Sequence, residues 1–308
     1  MKKIKIFVIF IIILIFNSKA NSQIEIKFKV GEEIITNIDV KNEKNYLVFL
    51  RPNLGKISEN ELIKISENSI IREIIKKKEI DRLFTKTVNI EFIDEIKNNL
   101  LKFKGVNNED ELKILLNNNN IDYEKIIEKM KYEGLWNELV FKKYNSFLKT
   151  DKKKLKEQLI KKKTNEKSYQ YNLSELLFEI SVDETFNNKY EIIKEFIKVN
   201  DFKTAAVKYS ISDTSNKGGQ IGWVKDTFLS EDLVELLSKI EIGRTSKPIK
   251  TPNGYLILKI NNKKEIENII NIEKELNELI KYERNNQLNQ FSLMYYKKLK
   301  QSTIINEY

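Results

Sequence analysis

Histidine and cysteine are both missing from the 308 residues. Without cysteine no disulfide forms, no thiolate holds a metal, and no N-terminal cysteine takes a lipid. A transition-metal centre would need carboxylates alone, and the acidic residues show no cluster with ligand spacing, so no metal or other cofactor is expected. Glycine (9) and proline (3) are scarce, which leaves few helix breakers and favours long helices. No P-loop or other nucleotide motif occurs, so no use of ATP is expected. What is present suits a folded protein: 41% of residues are hydrophobic and 32% charged, enough to bury cores, and the length accommodates two domains.

Residues 1–20 read as a secretory signal peptide. Lys2, Lys3 and Lys5 form a basic start, Ile6 to Phe16 is an unbroken apolar run, and Ser18-Lys19-Ala20 puts small residues where cleavage requires them. The run is too short for the roughly 20 apolar residues that span a bilayer core. Export by a cleaved signal is the expectation. The formal charge is +10, of which Lys2, Lys3, Lys5 and Lys19 carry four, leaving +6 beyond the signal. The remaining lysines alternate with glutamates. Runs such as Lys152-Lys153-Lys154 and Lys161-Lys162-Lys163 read as solvated faces, and with no accompanying motif no nucleic-acid partner is expected.

Periodicity divides the rest of the chain. Ile24, Ile26, Phe28 and Val30 alternate with polar residues as in a half-buried strand, Gly31 turns, and Ile34-Ile35-Thr36 forms a second strand. A helix starts at Thr36-Asn37-Ile38-Asp39. From Ser58 to Leu148 the spacing is helical, opened by a capping box of Ser58 and Glu61, and residues 21–150 form a mainly helical N-terminal domain. Residues 151–168 are lysine-rich with few apolar positions and read as a linker, partly helical. Residues 169–262 make a second, α+β domain. Residues 263–308 return to helical spacing, with Ile266, Ile269, Ile270, Leu276, Leu279 and Ile280 leading to Leu288, Phe291, Met294, Tyr295 and Leu299. Such an amphipathic helix must bury its stripe. The N-terminal helices are the host, and the terminal Thr303-Ile304-Ile305 is placed to pair with the first strand. The fold class is α+β: a mainly helical N-terminal domain completed by the C-terminal helix, with a second domain inserted.

Within that insert, several features occur in a definite order: Phe202-x-x-Ala205-Ala206, Tyr209-Ser210, Gly218-Gly219-Gln220-Ile221-Gly222-Trp223, the stretch Gly243 to Pro248, and Gly254-Tyr255-Leu256-Ile257-Leu258-Lys259. Together they resemble the parvulin-type peptidyl-prolyl isomerase domains over about 90 residues. With the signal segment, the Ile35-to-Val40 start, the helical region and the returning helix and strand, the whole order is similar to the SurA-type periplasmic chaperones. The resemblance implies a periplasmic, ATP-independent chaperone. Its partners would be unfolded outer-membrane proteins or other extended polypeptides, and the outer-membrane assembly machinery.

Carried over residue by residue, the family's first-strand histidine falls on Glu175, the histidine of the last strand on Leu256, and its Cys or Asp on Ser212, with Asp213 beside it. The Met and Phe of the proline cup fall on Leu229 and Leu233. Candidate catalytic residues are therefore Glu175, Ser212 and Asp213. Candidate substrate-binding residues are Trp223, Leu229, Leu233 and Leu256. An isomerase lowers a barrier of about 20 kcal/mol by binding the twisted amide better than the planar one. The cup stays apolar, but leucine in place of histidine offers neither donor nor acceptor. The expectation is a peptide-binding module without isomerase activity. The alternatives are an active isomerase with a histidine-free site, and an assembly scaffold with one fixed partner.

Overall fold

The computed structural model describes residues 24–84, 90–163, 167–181, 183–266 and 271–308; the signal segment 1–20, Ile269 and Ile270 lie outside them. Strands β1 (Ile26–Val30) and β2 (Glu33–Thr36) form a hairpin. Gly31 takes the left-handed conformation that the turn demands, at φ 61°. Helix α1 (Asn37–Leu50) begins in a reciprocal cap: the Thr36 hydroxyl accepts from the Asp39 N–H, and the Asp39 carboxylate accepts from the Thr36 N–H at 2.9 Å.

Helices α2 (Glu59–Leu83), α3 (Ile90–Lys104), α4 (Glu109–Asn118) and α5 (Tyr123–Tyr144) follow. Only half of the expected box at Ser58 is found. The hydroxyl accepts from the Glu61 N–H, but the Glu61 carboxylate is drawn to the Ser58 hydroxyl and to Lys208 instead of the backbone.

The long last helix, α10 (Ile272–Ser302), runs back over α2 and α5. Trp136 of α5 is fully buried and stacks on Tyr295 at 5.5 Å between ring centroids. After that helix, β7 (Ile305–Glu307) joins β1 antiparallel, with Val30 opposite Ile305 and Phe28 opposite Glu307. The sheet order is β2-β1-β7. Val30, Ile35, Val40, Ile71 and Ile75 form the core beneath it, with Leu299 and Ile305 packed on.

The stretch read as a linker is largely a packed helix, α6 (Lys152–Lys163). Leu155 and Leu159 are four residues apart and share one face. Leu159 is fully buried against Leu276 and Leu279 of the last helix, while the lysines take the remaining faces.

The inserted domain is a four-stranded antiparallel sheet of order β4-β3-β6-β5, from β3 (Ser168–Phe178), β4 (Gln220–Lys225), β5 (Ile249–Thr251) and β6 (Gly254–Ile266). Ile266, expected on a helix, instead ends β6 opposite Ser168. Helices α7 (Phe186–Val199) and α8 (Phe202–Tyr209) cover one face through Leu176, Phe178, Ile257, Ala205 and Ala206. Helix α9 (Glu231–Ser238) and Leu229 just before it cover the other, with Leu229 and Leu237 against Tyr171, Leu173, Leu258 and Ile260. Helix α10 (Ile272–Ser302) then leaves the sheet for the helical domain.

The inserted domain is seated on the helical one by polar contacts. Asn53 donates to Asp201 at 2.8 Å, Arg72 to Ser215 at 2.9 Å, and Lys208 pairs with Glu61. Val207 adds an apolar contact against the cluster of Leu47, Leu54, Leu62 and Ile65.

Candidate functional site

Side chains alternate along β3, so Leu173, Glu175 and Leu177 point toward the α9 face. Across the ladder, Glu175 stands opposite Leu258 and Leu177 opposite Leu256. The segment after α8 is tied to β3: the Ile211 N–H donates to the Leu177 carbonyl at 2.8 Å, and the Leu177 N–H donates to the Ser210 hydroxyl at 3.1 Å. These bonds bring Ser212 beside Glu175.

The Ser212 hydroxyl donates to Glu175 Oε1 at 2.6 Å, and the Thr214 hydroxyl donates to the same oxygen at 2.9 Å. Gly219 lies behind the carboxylate's backbone. A Cβ there would come within 2.0 Å of the Glu175 carbonyl oxygen, and its φ is 74°. Only glycine fits this approach.

Glu175 and Ser212 are thus brought together, and the third member is Thr214 rather than Asp213. The 3-10 turn Asp213–Lys217 starts here, with Ser212 as its cap. Residues on either side of Asp213 face the sheet, and Asp213 faces the helical domain. Its carboxylate lies 3.2 Å from Lys76 Nζ and accepts from the Ser292 hydroxyl, which in turn accepts from the Trp136 indole at 2.9 Å. Burial pushes this carboxyl up, but Lys76, the Ser292 hydroxyl and Arg72 together outweigh it and hold it below the usual aspartate range. Asp213 is a fastening between domains. The spacing Ser212-x-Thr214 was the available signal for the missed residue.

Leu229, Leu233 and Leu256 join one apolar cluster, Leu229 buried and the other two half-buried. Trp223 does not. It pairs with Asn172, whereas its neighbour Val224 pairs with Tyr171 in the apolar cluster, so Trp223 faces the opposite side of the sheet. There it is 43% exposed, with Lys264 Nζ 4.6 Å from its ring centroid.

The chemistry follows from the donors. Both hydroxyls lie within donating distance of Glu175, with the Thr214 hydroxyl also 3.2 Å from that of Ser212, so the cluster presents the carboxylate as its acceptor, while Leu256 contributes neither donor nor acceptor. An extended peptide can place an N–H on such a carboxylate and an apolar side chain on the neighbouring leucines. Among the described residues, no group of three acidic side chains is placed to hold a metal ion.

Residues 148–262 match the Rotamase family, the PPIC-type PPIASE domain, a span that includes α6. Chaperone SurA of Pseudomonas putida is 38% identical over 64 residues, 21% of this chain and 15% of that protein. Chaperone SurA of Pectobacterium atrosepticum is 32% identical over 97 residues, 29% of this chain and 22% of that one. Foldase protein PrsA of Bacillus subtilis is 34% identical over 70 residues, 22% of this chain and 24% of its own length. The chain therefore spans less than a quarter of the length of each of these relatives. Among solved structures, a SurA-like chaperone of Campylobacter jejuni aligns over 92% of this chain and 98% of that one, at 20% identity and a TM-score of 0.37.

Proposed function

We propose that this chain, which carries a PPIC-type domain with SurA and PrsA relatives, is an ATP-independent periplasmic chaperone. It holds unfolded polypeptide, outer-membrane proteins foremost, and hands it to the outer-membrane assembly machinery. The PPIC-type domain contributes a peptide-binding surface and no isomerisation. The observation that carries this reading is the site itself. A carboxylate acceptor with both hydroxyl donors spent on it stands beside leucines, with Leu256 where the resemblance expects a histidine. Export by the segment 1–20 puts the protein where such clients travel. Among the described residues no helix is long and apolar enough to cross a membrane.

The test is aggregation suppression. The mature protein at equal concentration with a urea-denatured outer-membrane porin keeps it from scattering light on dilution, without ATP. Unchanged scattering would sink the reading. A second reading, an active isomerase, draws on the Glu175–Ser212–Thr214 cluster. Cis/trans exchange of an X–Pro peptide followed by NMR separates the two. Acceleration that Ser212→Ala and Thr214→Ala abolish would put the isomerase first.

A further inference from the structure

The turn that follows Ser212 has two sides. Toward the sheet, the Ser212 and Thr214 hydroxyls lie 2.6 and 2.9 Å from Glu175 Oε1. Away from it, the groups in between and just beyond are taken by the helical domain. Lys76 donates to the Asp213 carboxylate at 3.2 Å, Arg72 to the Ser215 hydroxyl at 2.9 Å, and Arg51 to the Asn216 carbonyl. Arg72 and Lys76 are one turn apart on α2, and Arg51 is the residue that closes α1. Ser292 of α10 donates to the second oxygen of Asp213. Three helices of the helical domain therefore converge on the turn Asp213–Lys217.

A 3-10 turn of five residues closes with poorer hydrogen bonds than an α-helix, so its shape follows its partners. Ser215 is buried, and its hydroxyl would be costly to leave without Arg72. The backbone carries the placement across the turn: the Ser212 carbonyl accepts from the Ser215 N–H at 3.0 Å, and the Thr214 carbonyl from the Gly219 N–H at 2.9 Å. Fixing Asp213 and Ser215 against α2 thus fixes Ser212 and Thr214 against Glu175. The other polar contacts of the seat, Asn53 with Asp201 and Glu61 with Lys208, act on α8 at its start and its end.

We propose that Arg51, Arg72 and Lys76 are positioning residues of the peptide site: from the helical domain they hold the turn that sets Ser212 and Thr214 on Glu175, and so orient the carboxylate for a client N–H. This rests on the reading of the inserted domain as peptide-binding. The experiment is an NMR titration of the full mature chain with a short peptide containing a Phe-Pro bond. Arg72→Met with Lys76→Met is expected to bind about fivefold more weakly, the loss of roughly one hydrogen bond. Its Ser212, Thr214 and Glu175 amide signals are displaced before peptide is added, while those of Leu237 and Ile260 stay in place. Arg72→Met by itself, which spares the buried Lys76 and guards against a folding defect, is expected to lose about threefold. Arg72→Lys, which keeps a donor for Ser215, is expected to bind within about twofold of the unaltered chain. So is Asn53→Ala with Glu61→Ala, which loosens the same seat through α8 alone. Binding within about twofold by both Arg72→Met variants, or an equal loss in the Asn53 and Glu61 variant, would overturn this inference alone. Absence of binding by the unaltered chain would overturn the peptide-binding reading and this inference with it.

Discussion

Replacing Asp213 tests how the inserted domain is fastened. Lys76 is almost fully buried, with 6% of its side chain exposed, and Asp213 retains 30%. At 3.2 Å the direct attraction is about 5 kcal/mol for an effective dielectric near 20, but desolvation of both groups cancels much of it. Removing one partner of a buried pair costs about 3–5 kcal/mol when the other is left alone. Here Lys76 keeps Glu133 at 3.8 Å and the face of Trp136 at 5.1 Å, so the expected cost of Asp213→Ala falls to about 2 kcal/mol.

A double-mutant cycle with Lys76→Met isolates the pair, with an expected coupling of about 1.5 kcal/mol. Urea unfolding at pH 7 is followed by Trp136 fluorescence in a Trp223→Phe background. Trp136 is a direct reporter because its indole donates to the same Ser292 that donates to Asp213. A coupling below about 0.5 kcal/mol, the spread expected for independent sites, would refute the reasoning. The pH dependence has a definite sign. The Asp213 carboxyl is held below its ordinary value, so its contribution is complete above the unfolded aspartate value of about 4. It is lost as pH falls through the folded value. The stability difference between the unaltered chain and Asp213→Asn is therefore flat from about pH 5 upward and closes in acid.

Gly219→Ala forces a Cβ to within 2.0 Å of the Glu175 carbonyl oxygen at a positive φ, so β3 must shift; a loss of about 2 kcal/mol or more in denaturant unfolding is expected, with displaced amide signals at Glu175 and Ser212. Leu159→Ala removes the fully buried ridge of α6 and should cost about 2–3 kcal/mol by the same measurement, against a few tenths for a solvated linker residue. Trp223→Ala should leave the affinity for a Phe-Pro peptide unchanged within twofold by NMR titration, because that ring is on the other face of the sheet; a larger loss would return Trp223 to the site.

Much of this was legible in residues alone. Thr36 and Asp39 satisfy each other's backbone over three positions, so their cap needs nothing distant. The alternation around Phe28 and Val30, the glycine pair at 218–219 and the stripe from Leu276 to Leu299 are local patterns that hydrophobicity and backbone sterics enforce. Glu175 and Ser212 were found because the order of motifs aligned them. Where the reading departed from the structure, the cause was in each case a distant partner. Residue numbers placed Asp213 beside Ser212, but Lys76 and Ser292 decided which way it turned. The ladder with Asn172 turned Trp223 away from the leucines. Leu276 and Leu279 converted a lysine-rich connector into a packed helix.

By itself, then, the sequence determined the elements, their order and the polar and apolar groups available, because those follow from contacts within a few residues. Tertiary structure decided which groups face one another. Thr214 joins Glu175, Asp213 leaves it for the helical domain, and Tyr282 reaches the leucines from another element. Those choices rest on partners well separated along the chain, by 39 residues for Thr214 and Glu175 and by 137 for Asp213 and Lys76, whose hydrogen bonds and burial outweigh any local preference of a single side chain.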